Sequence, residues 1–315
     1  MTSQQVPLSS LEEAQTRVQE TVALTAHSSL HKALEAFHAH MLSQDLSIHT
    51  IKAFDSDLRL LSCYLGPRAI IGHISTKQLE SFLHYLRHER GVPCKLKSLA
   101  RRLTTLKVFF SWLTEEGVLS SDPAAPLVHQ RVSTPLPRIL SEQELAQLLT
   151  ATEKWRRDPR DPDARPHLLC MLLLSTGIKK SECINIALTD IDTSEPGMPT
   201  VLIRYENIRQ RYKERKLRLP PQFPTVLSEY IAQYKPHTKL FECTARNLEY
   251  VLDECVKRAG LPARSVSFEI LRWTCAARDL KAGMDEDLLR RKLGLSRITW
   301  ADTLDKLKRL TATPL

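Results

Sequence analysis

The side chains that could act as nucleophiles near the end of the chain are hydroxyls, namely those of Ser296, Thr299 and Thr303. The last tyrosine is Tyr250 and the last histidine is His237, so this region offers neither a phenol nor an imidazole. A serine or threonine hydroxyl attacks a bond efficiently only when a neighbouring base takes its proton. The sequence therefore predicts little capacity for covalent chemistry in this part of the protein.

Basic residues concentrate in one stretch before that region. Seven of the fifteen residues from Arg204 to Arg218 are cationic, and the whole chain has a formal net charge of +9 and a pI near 9.2. A basic surface attracts phosphate-rich polymers, which favours a nucleic-acid partner. Charge alone leaves open the alternative of a basic protein with no nucleic-acid role.

The seven cysteines are widely spread and form no C-x-x-C pair, which is typical of reduced thiols inside a cell and argues against disulfides or a zinc site. The most apolar run, Leu168 to Ile178, is too short for a bilayer, which needs about 20 residues. No basic segment followed by an apolar one opens the chain. We expect an intracellular protein without membrane contact.

Apolar residues recur at helical spacing through the first part of the chain. Residues 1–26 form a polar tail in which Ser10 and Glu13 have the spacing of a helix capping box. Residues 27–127 are expected to form a helical domain. Its four helices are predicted through Leu30 to Met41, Ile51 to Leu61, Ser75 to about Gly91, and Leu96 to Glu116.

Pro135 and Pro137 interrupt the helical pattern, and residues 128–140 are interpreted as an interdomain linker. Ser141 caps a helix that opens a second domain, residues 141–315. Alternating apolar residues predict one β-hairpin between Thr200 and Pro220, and helical patterns then continue to about Leu310. The predicted architecture is a two-domain chain, mainly α with a small β-sheet.

Several short strings stand in a fixed order along these elements. The first domain has Leu46-Ser47-Ile48-His49-Thr50, Arg101-Arg102-Leu103 and Asp122-Pro123-Ala124. The second has Thr176-Gly177-Ile178-Lys179, Lys213-Glu214-Arg215, Leu271-Arg272-Trp273-Thr274 and Leu293-Gly294-Leu295-Ser296. In this order they resemble the tyrosine recombinases, the family of phage integrases and of the Cre and Xer recombinases. The resemblance implies a clamp made of a helical, SAM-like core-binding domain and an α+β catalytic-type domain.

The family reaction implied by this resemblance is a transesterification in which a tyrosine attacks a DNA phosphate, with no metal or nucleotide cofactor. Arginines, a lysine and histidine-type residues assist the tyrosine. Lys179 keeps the charge of the first arginine but loses its planar fork, and Arg272 is the one clear match. Lys213 or Arg211 taking the place of the lysine is a less favoured alternative. The catalytic positions that the resemblance implies fall on Lys179, Gln210, Glu269, Arg272, Leu295 and Leu304. The position of the nucleophile is Leu304.

The DNA-binding residues implied by family position are all basic. The alternative for those on the fourth helix is a solvated helix face. For Arg272, the alternative to a bidentate phosphate clamp is a structural pair with an acid such as Glu182. Arg290, Arg291 and Lys292 either contact phosphates or favour a helix C-terminus. The implied set is Lys95, Lys97, Arg101, Arg102, Lys107, Lys179, Arg209, Arg211, Lys213, Arg215 and Arg272.

The sequence thus predicts a catalytically inactive family member that binds double-stranded DNA, lies in the cytoplasm with the nucleoid, and acts in or regulates DNA recombination or integration. Its further partners would be an active recombinase or other copies of this chain. Two alternatives stay open: an active recombinase with a displaced nucleophile, and a protein-interaction adaptor of an active recombinase. The apolar stripe Leu304, Leu307 and Leu310 would either dock into a neighbouring protomer or pack on its own domain.

Overall fold

The computed structural model describes residues 24–44, 46–129 and 135–312, and the chain divides into two compact units between Thr134 and Pro135. This boundary falls inside the segment interpreted as a linker. The capping box expected at Ser10 and Glu13 lies outside the described residues. Within them, helices dominate and three short strands form one sheet, which confirms the predicted fold class.

The first unit is helical, and serine side chains begin three of its helices. Ser29, Ser47 and Ser75 each accept a hydrogen bond from a backbone N–H of the first turn, which satisfies a donor that has no partner inside the helix. Phe37, Phe82, Phe109 and Phe110 lie at the centre of the buried core. The helices are α1 (Leu30–Ser43), α2 (Ile48–Leu65), α3 (Thr76–His88) and α4 (Leu96–Glu115).

The second unit begins with a helix capped by Ser141, whose side chain and that of Glu144 form the reciprocal bonds of a capping box. The apolar run predicted as a buried helix is the centre of the unit, and it ends at Gly177, whose φ of 61° lies in the left-handed region that favours glycine. The helices are α5 (Glu142–Arg156), α6 (Arg165–Thr176), α7 (Lys180–Cys183), α8 (Phe223–Tyr234), α9 (Ala245–Arg258), α10 (Phe268–Lys281), α11 (Glu286–Lys292) and α12 (Arg297–Ala312).

The sheet of the second unit contains the predicted hairpin and one additional strand. β1 (Ile191–Asp192), β2 (Thr200–Ile203) and β3 (Arg215–Arg218) are antiparallel and lie in this order. Val201 pairs with Leu217, so that two apolar side chains of the hairpin enter the core together. The two-residue strand β1 is too short to give an alternating pattern, which is why the sequence did not predict it.

Candidate functional site

A buried carboxylate, that of Glu182, lies at the centre of the site. It accepts hydrogen bonds from the Lys179 backbone N–H at 2.8 Å and from Arg215 Nη2 at 2.9 Å, and the Tyr205 hydroxyl donates to it as well. Burial alone would raise the pKa of Glu182, but the hydrogen bond and charge of Arg215 outweigh burial and hold the pKa below its usual value. Glu182 therefore stays ionised and anchors α7 to the hairpin.

Arg215 connects the hairpin to the loop after α11. Its side chain is only 9% exposed, and its Nε donates to the carbonyl of Lys292 at 2.7 Å. Gly294 has a φ of 60°, in the left-handed region that favours glycine, and a Cβ there would lie 2.8 Å from Arg215 Nη1. The residue that the resemblance assigned to DNA is thus engaged inside the unit, where it holds two backbone segments together.

Arg272, the one clear match among the expected catalytic positions, contacts backbone rather than an acid. Its guanidinium donates to the carbonyl of Gly177 and, at 2.7 Å, to that of Leu293. Burial lowers the pKa of Arg272 below its ordinary value. These bonds use two of the five N–H groups that a guanidinium offers. The arrangement differs from both sequence interpretations, although the side chain also lines a cavity.

This cavity has a volume of about 600 Å³ and brings together three of the expected catalytic positions, Lys179, Glu269 and Arg272. Burial lowers the pKa of Lys179; the charge of Glu182 opposes the shift, and the cations nearby add to it. Glu269 is exposed in the first turn of α10, where the helix dipole favours an acid. The remaining charged residues of its lining are Lys180, Arg246, Glu249, Asp253 and Arg264.

The last two expected positions lie in an apolar environment. Leu295 and Leu304 pack against the cluster that includes Trp300 and Leu307, and Leu307 is fully buried. Leu307 and, in part, Leu304 of the stripe on α12 therefore pack on their own unit, in line with one of the two interpretations left open. The neighbouring hydroxyls of Ser296 and Thr299 bond to each other at 3.0 Å, and Thr303 donates to a helix carbonyl.

The connection between β2 and β3 is a 3₁₀ helix, Ile208–Lys213, that we call the hairpin tip. Gln210 and Lys213 are half-buried, and Lys213 Nζ lies 5.9 Å from the centre of the Tyr205 ring. Arg209 and Arg211 are exposed to solvent. Of the two residues considered as replacements for the family lysine, Lys213 lies against the Tyr205 ring, whereas Arg211 points outward.

A second buried carboxylate, Asp57, organises the basic residues of the first unit. Its side chain is 2% exposed and accepts hydrogen bonds from Arg101 Nη2 at 2.8 Å and Thr105 at 3.0 Å, with Arg102 Nε at 3.4 Å. The sequence interpretation did not single out Asp57. The available signal was the position of this acid between Phe54 and Leu58, on the apolar face of α2, where a buried carboxylate needs partners.

The other basic residues of α4 have different surroundings. Lys95 and Lys97 are exposed at the beginning of the helix. Lys107 Nζ donates to the carbonyl of Ala125 at 3.2 Å. In the second unit, Arg290 and Arg291 both pair with Asp287, and Lys292 pairs with Asp279. Only some of the cations that the sequence assigned to phosphate are thus free of an acidic or carbonyl partner.

Two stretches of the chain match known sequence families. Residues 34–117 match the phage integrase N-terminal SAM-like domain, and residues 138–303 match the phage integrase family. The second match alone covers more than half of the chain. This chain belongs to the phage integrase family.

Individual relatives of this family member are tyrosine recombinases by name. The tyrosine recombinase XerC of Staphylococcus haemolyticus is 28% identical over 267 residues, covering 80% of this chain and 84% of the relative. A tyrosine recombinase of Thermosipho africanus is 26% identical over 260 residues, covering 80% and 87%. The predicted family resemblance is therefore confirmed.

Solved structures share the fold of this integrase-family chain at low sequence identity. A lambda integrase dimer bound to a COC′ core site superposes with a TM-score of 0.67 at 16% identity, covering 94% of this chain and 82% of that one. XerH recombinase bound to its difH substrate superposes with a TM-score of 0.64 at 18% identity, covering 99% of this chain and 89% of that one. These structures confirm the expected tyrosine-recombinase type of fold.

Within residues 24–44, 46–129 and 135–312, no group of three or more His, Cys, Asp or Glu side chains is placed to hold a metal ion. None of the helices in this described part is both long and apolar enough to cross a membrane.

Proposed function

We propose that this integrase-family protein binds double-stranded DNA without cleaving it, and that it acts in DNA recombination or integration by occupying a site or by assisting an active recombinase. The observation that carries the proposal is Leu304. At the position that the resemblance gives to the nucleophile, an aliphatic side chain packs into the apolar cluster of its own unit. An aliphatic group has no lone pair with which to attack phosphorus.

The loss of the other expected groups supports the same proposal. A missing general acid costs a reaction roughly 10²- to 10⁴-fold, and a missing charge-stabilising donor about 10²- to 10³-fold, although such losses do not simply add. Gln210 has no proton to donate at neutral pH, and Glu269 brings a negative charge to the cavity that Lys179 and Arg272 line. Phosphate chemistry would therefore be disfavoured even with a nucleophile present.

Tyr205 contacts the carboxylate of Glu182 at the centre of the site, which makes it a candidate for a displaced nucleophile. Its hydroxyl donates to Glu182, a carboxylate that Arg215 also holds. Burial, with the hydrogen bond to Glu182, raises the pKa of Tyr205 to about 12. A phenol that is both engaged and hard to ionise is a poor nucleophile.

Exposed cations support the DNA-binding half of the proposal. Lys95 and Lys97 in the first unit and Arg209 and Arg211 in the second are exposed side chains, and none of the four has an ion-pair partner within the described residues. Unpaired lysines and arginines release condensed counterions when they bind phosphates. Further copies of this chain or an active recombinase are the protein partners that we propose.

The test is incubation of the protein with intact and nicked duplexes, followed by denaturing electrophoresis for a covalent adduct and by binding measurements across salt. We expect binding that weakens steeply as salt rises and no adduct. An adduct would overturn the inactive assignment, and its loss in Tyr205→Phe would identify the displaced nucleophile. Absence of binding at low salt would overturn the DNA-binding assignment and favour a protein adaptor.

Leu304→Tyr is the matched variant for the missing nucleophile. Because Gln210, Glu269 and Leu295 would still differ from the residues that the resemblance implies, we expect this single change to give no cleavage. Robust cleavage by Leu304→Tyr would show that the roles given to these other positions are wrong.

A further inference from the structure

The hairpin tip, Ile208–Lys213, exposes large apolar groups beside its cations. Ile208 is 76% exposed and Tyr212 is 70% exposed, whereas the hairpin strands bury Val201, Ile203 and Leu217. Large apolar side chains exposed next to charge can mark a surface that meets a partner.

The helical type of the tip determines which side chains lie together. A 3₁₀ helix has about 3 residues per turn, so residues three apart are in line. Ile208 is thus aligned with Arg211, and Tyr212 with Arg209, in two rows. The third row contains Gln210 and Lys213, which are half-buried. Each outward row therefore carries one apolar or aromatic group and one guanidinium.

The charges of the tip are left available for a ligand. The six residues from Ile208 to Lys213 include three cations and no acid. Glu206 and Glu214 are the acids on either side of the tip, and Glu214 accepts a hydrogen bond from the Tyr205 backbone N–H at the base of the hairpin. Lys213 Nζ lies 5.2 Å from the centre of the Tyr212 ring, on which it packs. The tip is thus a positively charged surface with an aromatic face held in place.

We infer that the hairpin tip recognises duplex DNA at an opened or easily opened base step, with Arg209 and Arg211 on the phosphates, Ile208 as a wedge and Tyr212 stacked on an exposed base. This inference rests on the proposed DNA binding and adds a preference to it. Aliphatic wedges enter base steps of bent DNA, and aromatic rings stack on unpaired bases. An intact, stiff duplex offers phosphates to the guanidinium groups but no face to the apolar groups.

The experiment compares two duplexes of one sequence, one fully paired and one with a short central run of mismatches, in binding titrations across salt. We expect wild type to bind the mismatched duplex about tenfold more tightly. Ile208→Ala/Tyr212→Ala should lose that preference while it keeps its affinity for the paired duplex and its salt dependence. Tyr212→Phe, which keeps the ring, should retain the preference.

Two further variants separate stacking from charge. Arg209→Gln/Arg211→Gln should weaken binding to both duplexes and reduce the slope of log affinity against log salt by about 2. Ile298→Ala removes an isoleucine that is 91% exposed on α12, and it should change neither affinity. This variant is the matched control for loss of an exposed aliphatic group outside the tip.

The outcomes distinguish the inference from the proposed function. Equal binding of both duplexes by wild type, or equal losses on both in Ile208→Ala/Tyr212→Ala, would overturn the inference and leave DNA binding in place. No binding to either duplex at low salt would overturn both. Binding to an acidic protein but to neither duplex would assign the tip to a protein partner instead.

Discussion

Arg215 and Arg211 lie four residues apart in one hairpin and have opposite surroundings. Arg215 is 9% exposed and pairs with the buried Glu182, whereas Arg211 is exposed on the hairpin tip. The sequence assigned both to DNA because the resemblance places the whole basic hairpin against DNA. The difference shows that a basic segment serves two purposes here, with its strand end holding the fold and its tip facing outward.

The same division occurs in the first unit. Arg102 is 14% exposed and lies against the buried Asp57, whereas Lys95 and Lys97 at the beginning of the same helix are exposed. In each unit a buried carboxylate thus orients an arginine close to it, Asp57 in the first and Glu182 in the second. The cations one or two turns away remain free of such a partner and are the better candidates for phosphate contacts.

Arg215→Ala should have the largest effect on folding, because it leaves the Glu182 carboxylate buried without its charged partner. We expect a loss of about 3–5 kcal/mol in the free energy of unfolding. Urea unfolding followed by tryptophan fluorescence measures this, since Trp155, Trp273 and Trp300 all belong to the second unit. Arg211→Ala is the matched control and should leave the transition unchanged. Equal destabilisation by the two variants would show that Arg215 is no more important for the fold than the exposed Arg211.

Asp57→Ala should have the next largest effect, about 2–3 kcal/mol, because it leaves the half-buried guanidinium of Arg102 without its charged partner and with the Cys94 sulfur as a weak acceptor. Circular dichroism during thermal unfolding reports the change, which should appear in the transition of the first unit. Asp55→Ala removes an acid of the same helix that pairs with His38 at the surface, and it should be nearly silent. If Asp57→Ala left the unfolding transition unchanged, the hydrogen bonds of Arg101 and Arg102 to Asp57 would not contribute to stability.

Acidification should weaken the second unit through Glu182. The pKa of Glu182 is lowered from 4.5 in the folded chain, so the unfolded chain binds the proton more readily. This contribution to stability is complete above about pH 4.5 and is lost as the pH falls through the lower folded pKa. Urea midpoints measured from neutral to acidic pH should fall less steeply for Glu182→Gln than for wild type. If the midpoints of the two proteins fell in parallel, Glu182 would not contribute to the loss of stability in acid.

Lys95→Gln/Lys97→Gln should have the smallest effect and should act on DNA binding alone. If each lysine contacts one phosphate, the slope of log affinity against log salt decreases by about 2, while the unfolding transition stays in place. Duplex binding titrations at several salt concentrations measure the slope. An unchanged slope would place this end of α4 away from DNA.

Most of the fold followed from the sequence because its signals are local. Ser75 and Ser141 precede apolar periodic segments and begin helices as predicted, and Ser29 and Ser47 cap helices in the same way. The hairpin followed from alternation of buried and exposed positions around Val201 and Leu217. The sequence did not predict the strand Ile191–Asp192, because two residues are too few to show an alternating pattern.

The candidate site followed from the sequence only in part. The position of Glu182 was evident from the Thr176-Gly177 string, but its bond with Tyr205 was not, since the alternation of β2 gave Tyr205 the role of a strand residue. Arg272 was expected to meet a phosphate or an acid, and the sequence did not predict the two carbonyls that it holds. Backbone acceptors of this kind carry no sequence signature, because every residue has one.

The sequence by itself determined the family, the helical two-domain plan, and the absence of tyrosine and histidine after residue 250, since residue identity and periodicity are read directly from the chain. Only the tertiary structure decided which lysines and arginines have an acidic partner inside the fold. Arg215 and Glu182 are 33 positions apart, and Arg101 and Asp57 are 44 apart. Such pairs depend on how distant segments pack, and burial of a carboxylate makes its partner obligatory.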